Sequence, residues 1–158
     1  MIRFEFDSRS ENEAMARVVI AAYLLREDPT IEEMADVKTA VSEAVTNAII
    51  HGYDDENGKI VMEAELKDHC LEVTIIDYGK GIENIEKAME PLYTTKPEKE
   101  RAGMGFAFME AFMDELYVES ELFHGTKVRR RKKVSQWSKE NYSGVQKQEI
   151  KKPGKRWF

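Results

Sequence analysis

MADVKTAVSEAVTNAIIHG, residues 34–52, sets Met34, Val37, Val41, Ala44 and Ala48 at helical spacing until a glycine closes the element. This predicts an amphipathic helix, and the rest of the fold can be read outward from it. Upstream, Pro29 and Thr30 punctuate. Before them a helix is expected over about Glu11 to Arg26, with Ser8 or Ser10 as its N-cap, preceded by a short strand in which Ile2, Phe4 and Phe6 alternate with polar residues. Downstream, Lys59–Leu66 and Leu71–Asp77 are alternating or β-branched runs around polar Lys67, Asp68 and His69, the pattern of an antiparallel hairpin. A glycine-rich turn follows. Residues 91–103 read as a mobile loop, Met104 to Asp114 as a helix, and Leu116–Ser120 and Thr126–Arg130 as two further strands. The expectation is an α+β, two-layer sandwich: a mixed, mostly antiparallel sheet with helices on one face.

With 158 residues, 42% hydrophobic and 34% charged, the chain suits one compact domain. The single Cys70 and the absence of any Cys/His cluster at metal-ligand spacing suggest a reducing, cytoplasmic setting without structural zinc. The longest apolar run, Val18–Leu25, is too short to span a membrane. Charge is unevenly distributed. Residues 1–126 carry 12 Lys and Arg against 28 Asp and Glu, a balance of −16, whereas residues 127–158 carry 12 against 2, a balance of +10. An acidic body argues against direct DNA binding. Residues 1–133 are read as the functional domain and 134–158, where periodicity is lost, as a basic, flexible tail.

Glu43 and Asn47 lie four apart on the second helix, so both side chains leave one face, beside the apolar stripe. A carboxylate and an amide so placed suit a Mg²⁺-nucleotide site, since Mg²⁺ takes oxygen ligands and completes its shell with waters and phosphates. Asp77 ends a strand and opens Asp77-Tyr78-Gly79-Lys80-Gly81, where glycines let the backbone approach a flat ligand and a buried carboxylate can accept from the exocyclic amine of adenine. Gly103-Met104-Gly105 stands where a loop becomes a helix, so free amides and the helix dipole can meet phosphate oxygens, and Lys96 and Arg101 precede it. Taken singly, these motifs read more readily as solvated helix polars, a strand-ending turn and a helix start. Their order along one chain points to a nucleotide pocket. There is no Walker P-loop and no dinucleotide-binding βαβ unit.

In this order of motifs the chain resembles the GHKL superfamily of ATP-binding proteins, with its Bergerat fold. Val41 to Tyr53, Pro91 to Pro97 and Glu100 to Phe106 resemble more closely the family of sporulation anti-sigma F factors, over residues 1 to about 128. The resemblance implies an ATP-dependent serine kinase of an endospore-forming bacterium. Such a protein holds its sigma factor when ATP-bound and phosphorylates a serine of an anti-anti-sigma partner. It also implies a role for each matching residue. Glu43 falls on the catalytic base, Asn47 on the Mg²⁺ ligand and Asp77 on the adenine contact, lined by Gly79 and Gly81. Thr94, Thr95 and Lys96 fall in the ATP lid, Gly103, Met104 and Gly105 in the second glycine box, and Thr126 behind adenine. Arg101 matches the phosphate- and partner-sensing arginine. The family is dimeric through the first helix, where Val18–Leu25 lacks a polar face, and Arg17 is placed for a sigma contact.

The resemblance breaks after Val128, where the family continues with an alternating apolar strand and this chain reads Arg129-Arg130-Arg131-Lys132-Lys133. An edge strand that is short or frayed is the expectation there. Two alternatives to the kinase reading remain: a nucleotide-gated binding module that transfers no phosphate, and a stress-response anti-sigma kinase of the same family.

Overall fold

The structure, a computed structural model, describes residues 1–54, 56–90 and 111–134. The elements are β1 (Ile2–Asp7), α1 (Ser10–Leu24), α2 (Ile31–Asn47), β2 (Lys59–Lys67), β3 (Cys70–Asp77), α3 (Ile85–Ala88), β4 (Glu115–Glu121) and β5 (Gly125–Lys133). A 3₁₀ turn, Leu25–Glu27, extends α1, and a π-helical turn, Ala48–Gly52, extends α2. The strands form one sheet in the order β1-β2-β3-β5-β4.

All four pairings among the described residues are antiparallel, in keeping with the mixed, mostly antiparallel sheet expected from sequence. The β2–β3 hairpin turns on Asp68 and His69, both at positive φ (50° and 56°), the backbone a two-residue turn needs to match strand twist.

Strand alternation divides the sheet into two faces. Ile60, Met62, Ala64, Leu71, Val73, Ile75 and Val128 point to the helices and join Ala16, Ile20 and Leu24 of α1 and Val37, Ala40, Val41, Ala44 and Val45 of α2 in one core. The opposite face is largely polar. There Arg3 pairs with Glu63, Arg131 lies 3.4 Å from both Glu72 and Glu115, and the Arg129 guanidinium stacks 4.9 Å from the Tyr117 ring centroid.

α2 starts on a capping box. The Thr30 hydroxyl accepts from the Glu33 amide (3.1 Å) and the Glu33 carboxylate accepts from the Thr30 amide (2.9 Å). α1 has no such start, and here the sequence expectation is corrected: its N-cap is Arg9, without a side-chain cap. Ser8 is used elsewhere. Its hydroxyl donates to the Glu56 carbonyl (2.7 Å) and accepts from the Gly58 amide (2.8 Å), tying the end of β1 to the approach to β2.

The basic run is the larger correction. Residues 129–133 do not fray: they complete a nine-residue strand that lies inside the sheet between β3 and β4. Alternation explains this, because Arg129 and Arg131 meet the polar face, and Lys132 reaches Asp36 (2.8 Å) and the Phe112 carbonyl (2.8 Å). Arg130 alone enters the core, 1% exposed. Val134 is also buried, its amide bonded to the His69 carbonyl at 2.8 Å. The expected loop over 91–103, most of the helix expected to follow it, and residues 135–158 lie outside the described residues.

Candidate functional site

Asp77 closes β3 opposite Thr126 of β5 and is 6% exposed. A strand end buried in this way needs its polar groups satisfied, and the Gly79 amide meets the Asp77 Oδ1 at 3.0 Å. Burial is the larger influence and pushes the carboxyl up to about 6, against the pull of the Gly79 and Thr126 amides.

The loop after Asp77 is clamped from both sides. Toward the π-helical turn, the Lys80 amide donates to the Gly52 carbonyl (2.9 Å) and the Tyr78 amide to the Tyr53 hydroxyl (2.7 Å). Toward the β4–β5 turn, the Phe123 amide donates to the Lys80 carbonyl (2.8 Å) and the Ile82 amide to the Ser120 hydroxyl (2.7 Å). Ser120 in turn bonds the Gly125 carbonyl (3.0 Å) and pairs with the Thr126 hydroxyl (2.9 Å).

Two glycines make this packing possible. A Cβ on Gly79 would lie 2.0 Å from the Gly52 carbonyl oxygen, and one on Gly52 would lie 2.9 Å from the Asp77 Oδ1. With neither present, backbone approaches backbone beside the Asp77 carboxylate.

Glu43 and Asn47 reach the same end of the molecule along α2. Asp36 meets Lys132, and the Ala40 carbonyl accepts from Arg130 Nη1, so α2 lies along β5 with residues 36, 40, 43 and 47 in one stripe. Glu43 and Asn47 are half-buried at its far end. The π-helical turn, closed by the Tyr53 amide on the Ala48 carbonyl (3.1 Å), then carries the chain so that Gly52 faces Asp77. Such turns are rare and concentrate at functional sites.

The structure therefore joins Asp77, Gly79, Gly81 and Thr126 with the turn that follows Glu43 and Asn47. Arg17 stands apart on α1, paired with Glu13 at 2.9 Å. Thr94, Thr95, Lys96, Arg101, Gly103, Met104 and Gly105 lie outside the described residues. Sequence reading missed Gly52, taken only as a helix end, together with Tyr53 and Ser120. The dipeptide Gly52-Tyr53 five residues after Asn47 was the available signal; Ser120 left none.

Residues 6–132 match the family described as histidine kinase-like ATPase domain. The chain belongs to that family. Its similarity is closer to proteins named anti-sigma F factor: one from Clostridium beijerinckii is 60% identical over 132 residues, covering 83% of this chain and 92% of the relative. Another, from Clostridium botulinum, is 59% identical over 135 residues, covering 85% and 94%. Among solved structures, the RsbU and RsbW domains of a Mycobacterium tuberculosis protein superpose with a TM-score of 0.61 at 22% identity, covering 85% of this chain and 33% of that one. At that identity the likeness speaks for the fold. The α+β architecture, with helices on one face of a five-stranded sheet, is that of the ATPase-domain family.

Proposed function

We propose that this protein is an anti-sigma F factor with ATP-dependent serine kinase activity, binding a sporulation sigma factor and phosphorylating a serine of an anti-anti-sigma partner. The observation that carries the reading is the Asp77 cradle, a buried carboxylate fronted by Gly52 and Gly79 and reached by the helix that bears Glu43 and Asn47. Close similarity along nearly the whole length of proteins named anti-sigma F factor supports the sigma-binding half.

Adenine would be held by Asp77, with Gly79 and Gly81 beneath it and Thr126 behind. Asn47 would hold Mg²⁺, which when bound neutralises phosphate charge. Thr94, Thr95 and Lys96 of the lid and the Gly103-Met104-Gly105 segment would cradle the phosphates. Glu43 would then accept the proton of the incoming serine hydroxyl as its oxygen bonds to the γ-phosphorus and the bond to the β-phosphate oxygen breaks, releasing ADP. Arg101 would offset the charge on the transferring group. This demands positioning more than covalent chemistry, which suits a site built on a helix and a strand end. A lid ordered by the γ-phosphate would present different surfaces in the ATP and ADP states, giving two partners alternating access. Arg17 is proposed as a sigma contact.

The experiment is γ-phosphate transfer from labelled ATP to a purified anti-anti-sigma protein. Wild type is expected to transfer label to serine and Glu43→Gln to lose at least about a hundredfold in rate; equal rates would remove Glu43 from the base role. Nucleotide binding is read separately by melting, where ligand at about 100 times its dissociation constant stabilises by roughly 2.7 kcal/mol. Asn47→Ala is expected to lose the Mg²⁺-dependent part of that shift.

A further inference from the structure

Val134 follows β5 with its amide on the His69 carbonyl (2.8 Å), and His69 Nδ1 lies 2.7 Å from Glu27 in the turn that extends α1. Two residues earlier, Lys132 reaches Asp36 of α2 (2.8 Å). The chain therefore leaves the sheet beside the connection between α1 and α2.

That corner exposes two large aliphatic side chains, Leu25 at 66% and Ile31 at 91%. Ile31 opens α2, and the capping box of Thr30 with Glu33 fixes the backbone that turns it outward. The surrounding charge has one sign. Residues 27–36 hold five acids, Glu27, Asp28, Glu32, Glu33 and Asp36, and no Lys or Arg. His69 engages Glu27 and Lys132 engages Asp36, while the nearby Arg26 guanidinium lies over the Tyr23 ring, 5.4 Å from its centroid. Asp28 and Glu32 are exposed, and no ion pair among the described residues includes either.

Residues 135–158 have the matching chemistry. They carry six Lys and Arg against two Glu, together with Trp137, Tyr142, Trp157 and Phe158. Trp137 stands three residues past Val134, a span of about 10 Å, so the corner is within reach of the first few residues. Tethering holds such a segment near its site at an effective concentration on the order of millimolar, so a contact of modest intrinsic strength keeps it docked.

We propose that residues 135–158 dock in cis on the corner between α1 and α2, with aromatic side chains over Leu25 and Ile31 and cationic ones over Asp28 and Glu32. Apolar burial gives the contact its strength, and charge gives it its place. The family match ends at residue 132, and the docking does not depend on the kinase reading. Met15 and Val18 stay open further along α1, whereas a second chain that used α1 as far as Leu25 would have to displace the docked segment.

Both tryptophans of the chain, Trp137 and Trp157, lie in this segment, so tryptophan emission reports its surroundings without a label. The test compares the nucleotide-free full chain with the isolated peptide 135–158. Wild type is expected to show blue-shifted emission and slower acrylamide quenching than the peptide, independent of protein concentration. Ile31→Lys, at an exposed position, should return both readings to the peptide values while the far-ultraviolet circular dichroism stays that of wild type. Glu32→Lys should do so in part. Salt at about 1 M, where the screening length falls to roughly 3 Å, should red-shift the wild-type emission. Emission and quenching equal to the peptide's in wild type would overturn the proposal. So would a shift that Ile31→Lys leaves in place, which puts the segment elsewhere, or one that fades on dilution, which marks docking on a second copy.

Discussion

At the scale of single residues, Asp77 is where stability and binding pull apart. Its folded carboxyl protonates near 6 rather than at the ordinary 3.8, because burial disfavours the anion. The folded state therefore holds this proton more tightly than the unfolded state. From this group, the nucleotide-free protein loses stability as pH rises from about 4 to about 6, a cost on the order of 2–3 kcal/mol that persists above the window. Asp77→Asn is expected to recover much of that at pH 7.5 and to change little at pH 4, while weakening ADP and ATP alike by at least about tenfold. Urea melts at the two pH values together with calorimetric titration check it; a variant less stable than wild type at pH 7.5 would refute the cost. The same sign makes adenine affinity fall as pH drops below about 6, since an amine donor prefers the ionised carboxylate. Titrations at pH 5 and 7.5 with one nucleotide read that directly.

At the scale of elements, α2 and its π-helical extension are the part on which the site depends. The helix was legible from its apolar spacing and its closing glycine. Its start was marked in the sequence only by Pro29 and Thr30, and the structure adds the capping box of Thr30 with Glu33. Thr30→Ala should cost about 1 kcal/mol, measured as a lower urea midpoint with unchanged slope, and leave catalysis per folded molecule intact. Tyr53 was not legible. Its hydroxyl donates to the Lys59 carbonyl, six residues on, and accepts from the Tyr78 amide, 25 residues on and across the sheet hairpin. Tyr53→Phe should cost roughly 1–2 kcal/mol and loosen the loop that carries Gly79 and Gly81, seen as faster amide exchange at Tyr78.

For the whole molecule, the outward side of α1 is the notable surface. Met15, Val18 and Leu25 are 51%, 65% and 66% exposed and recur at helical spacing, and Ile31 at the head of α2 is 91% exposed. The inward side, Ala16, Ile20, Tyr23 and Leu24, is buried in the domain, so the sequence run without a polar face resolves into one half packed within the domain and one half left open. An open apolar stripe of this kind fits the homodimer that the sequence resemblance implies. Val18→Asp with Leu25→Asp is expected to give a monomer by light scattering that still binds ADP with wild-type affinity; a dimer surviving both changes would place the interface elsewhere.

Local pattern was enough for the first four strands, the two long helices and the hairpin turn, because periodicity and turn chemistry act over a few neighbouring residues, whereas Glu43, Asn47 and Asp77 became candidates through the order of the motifs along the chain. Tertiary structure decided what depends on registering distant segments. Gly52 lies against the Asp77 carboxylate where Gly79 packs on its carbonyl, and Ser120 braces the loop only because β4 pairs beside β5. The run Arg129 to Lys133 shows the reason most clearly. As composition it predicted a short or frayed edge, but a strand's fate follows its neighbours: lying between β3 and β4, with acidic and aromatic partners on one face and α2 over the other, it became an interior strand with a buried arginine bonded to the Ala40 carbonyl of α2.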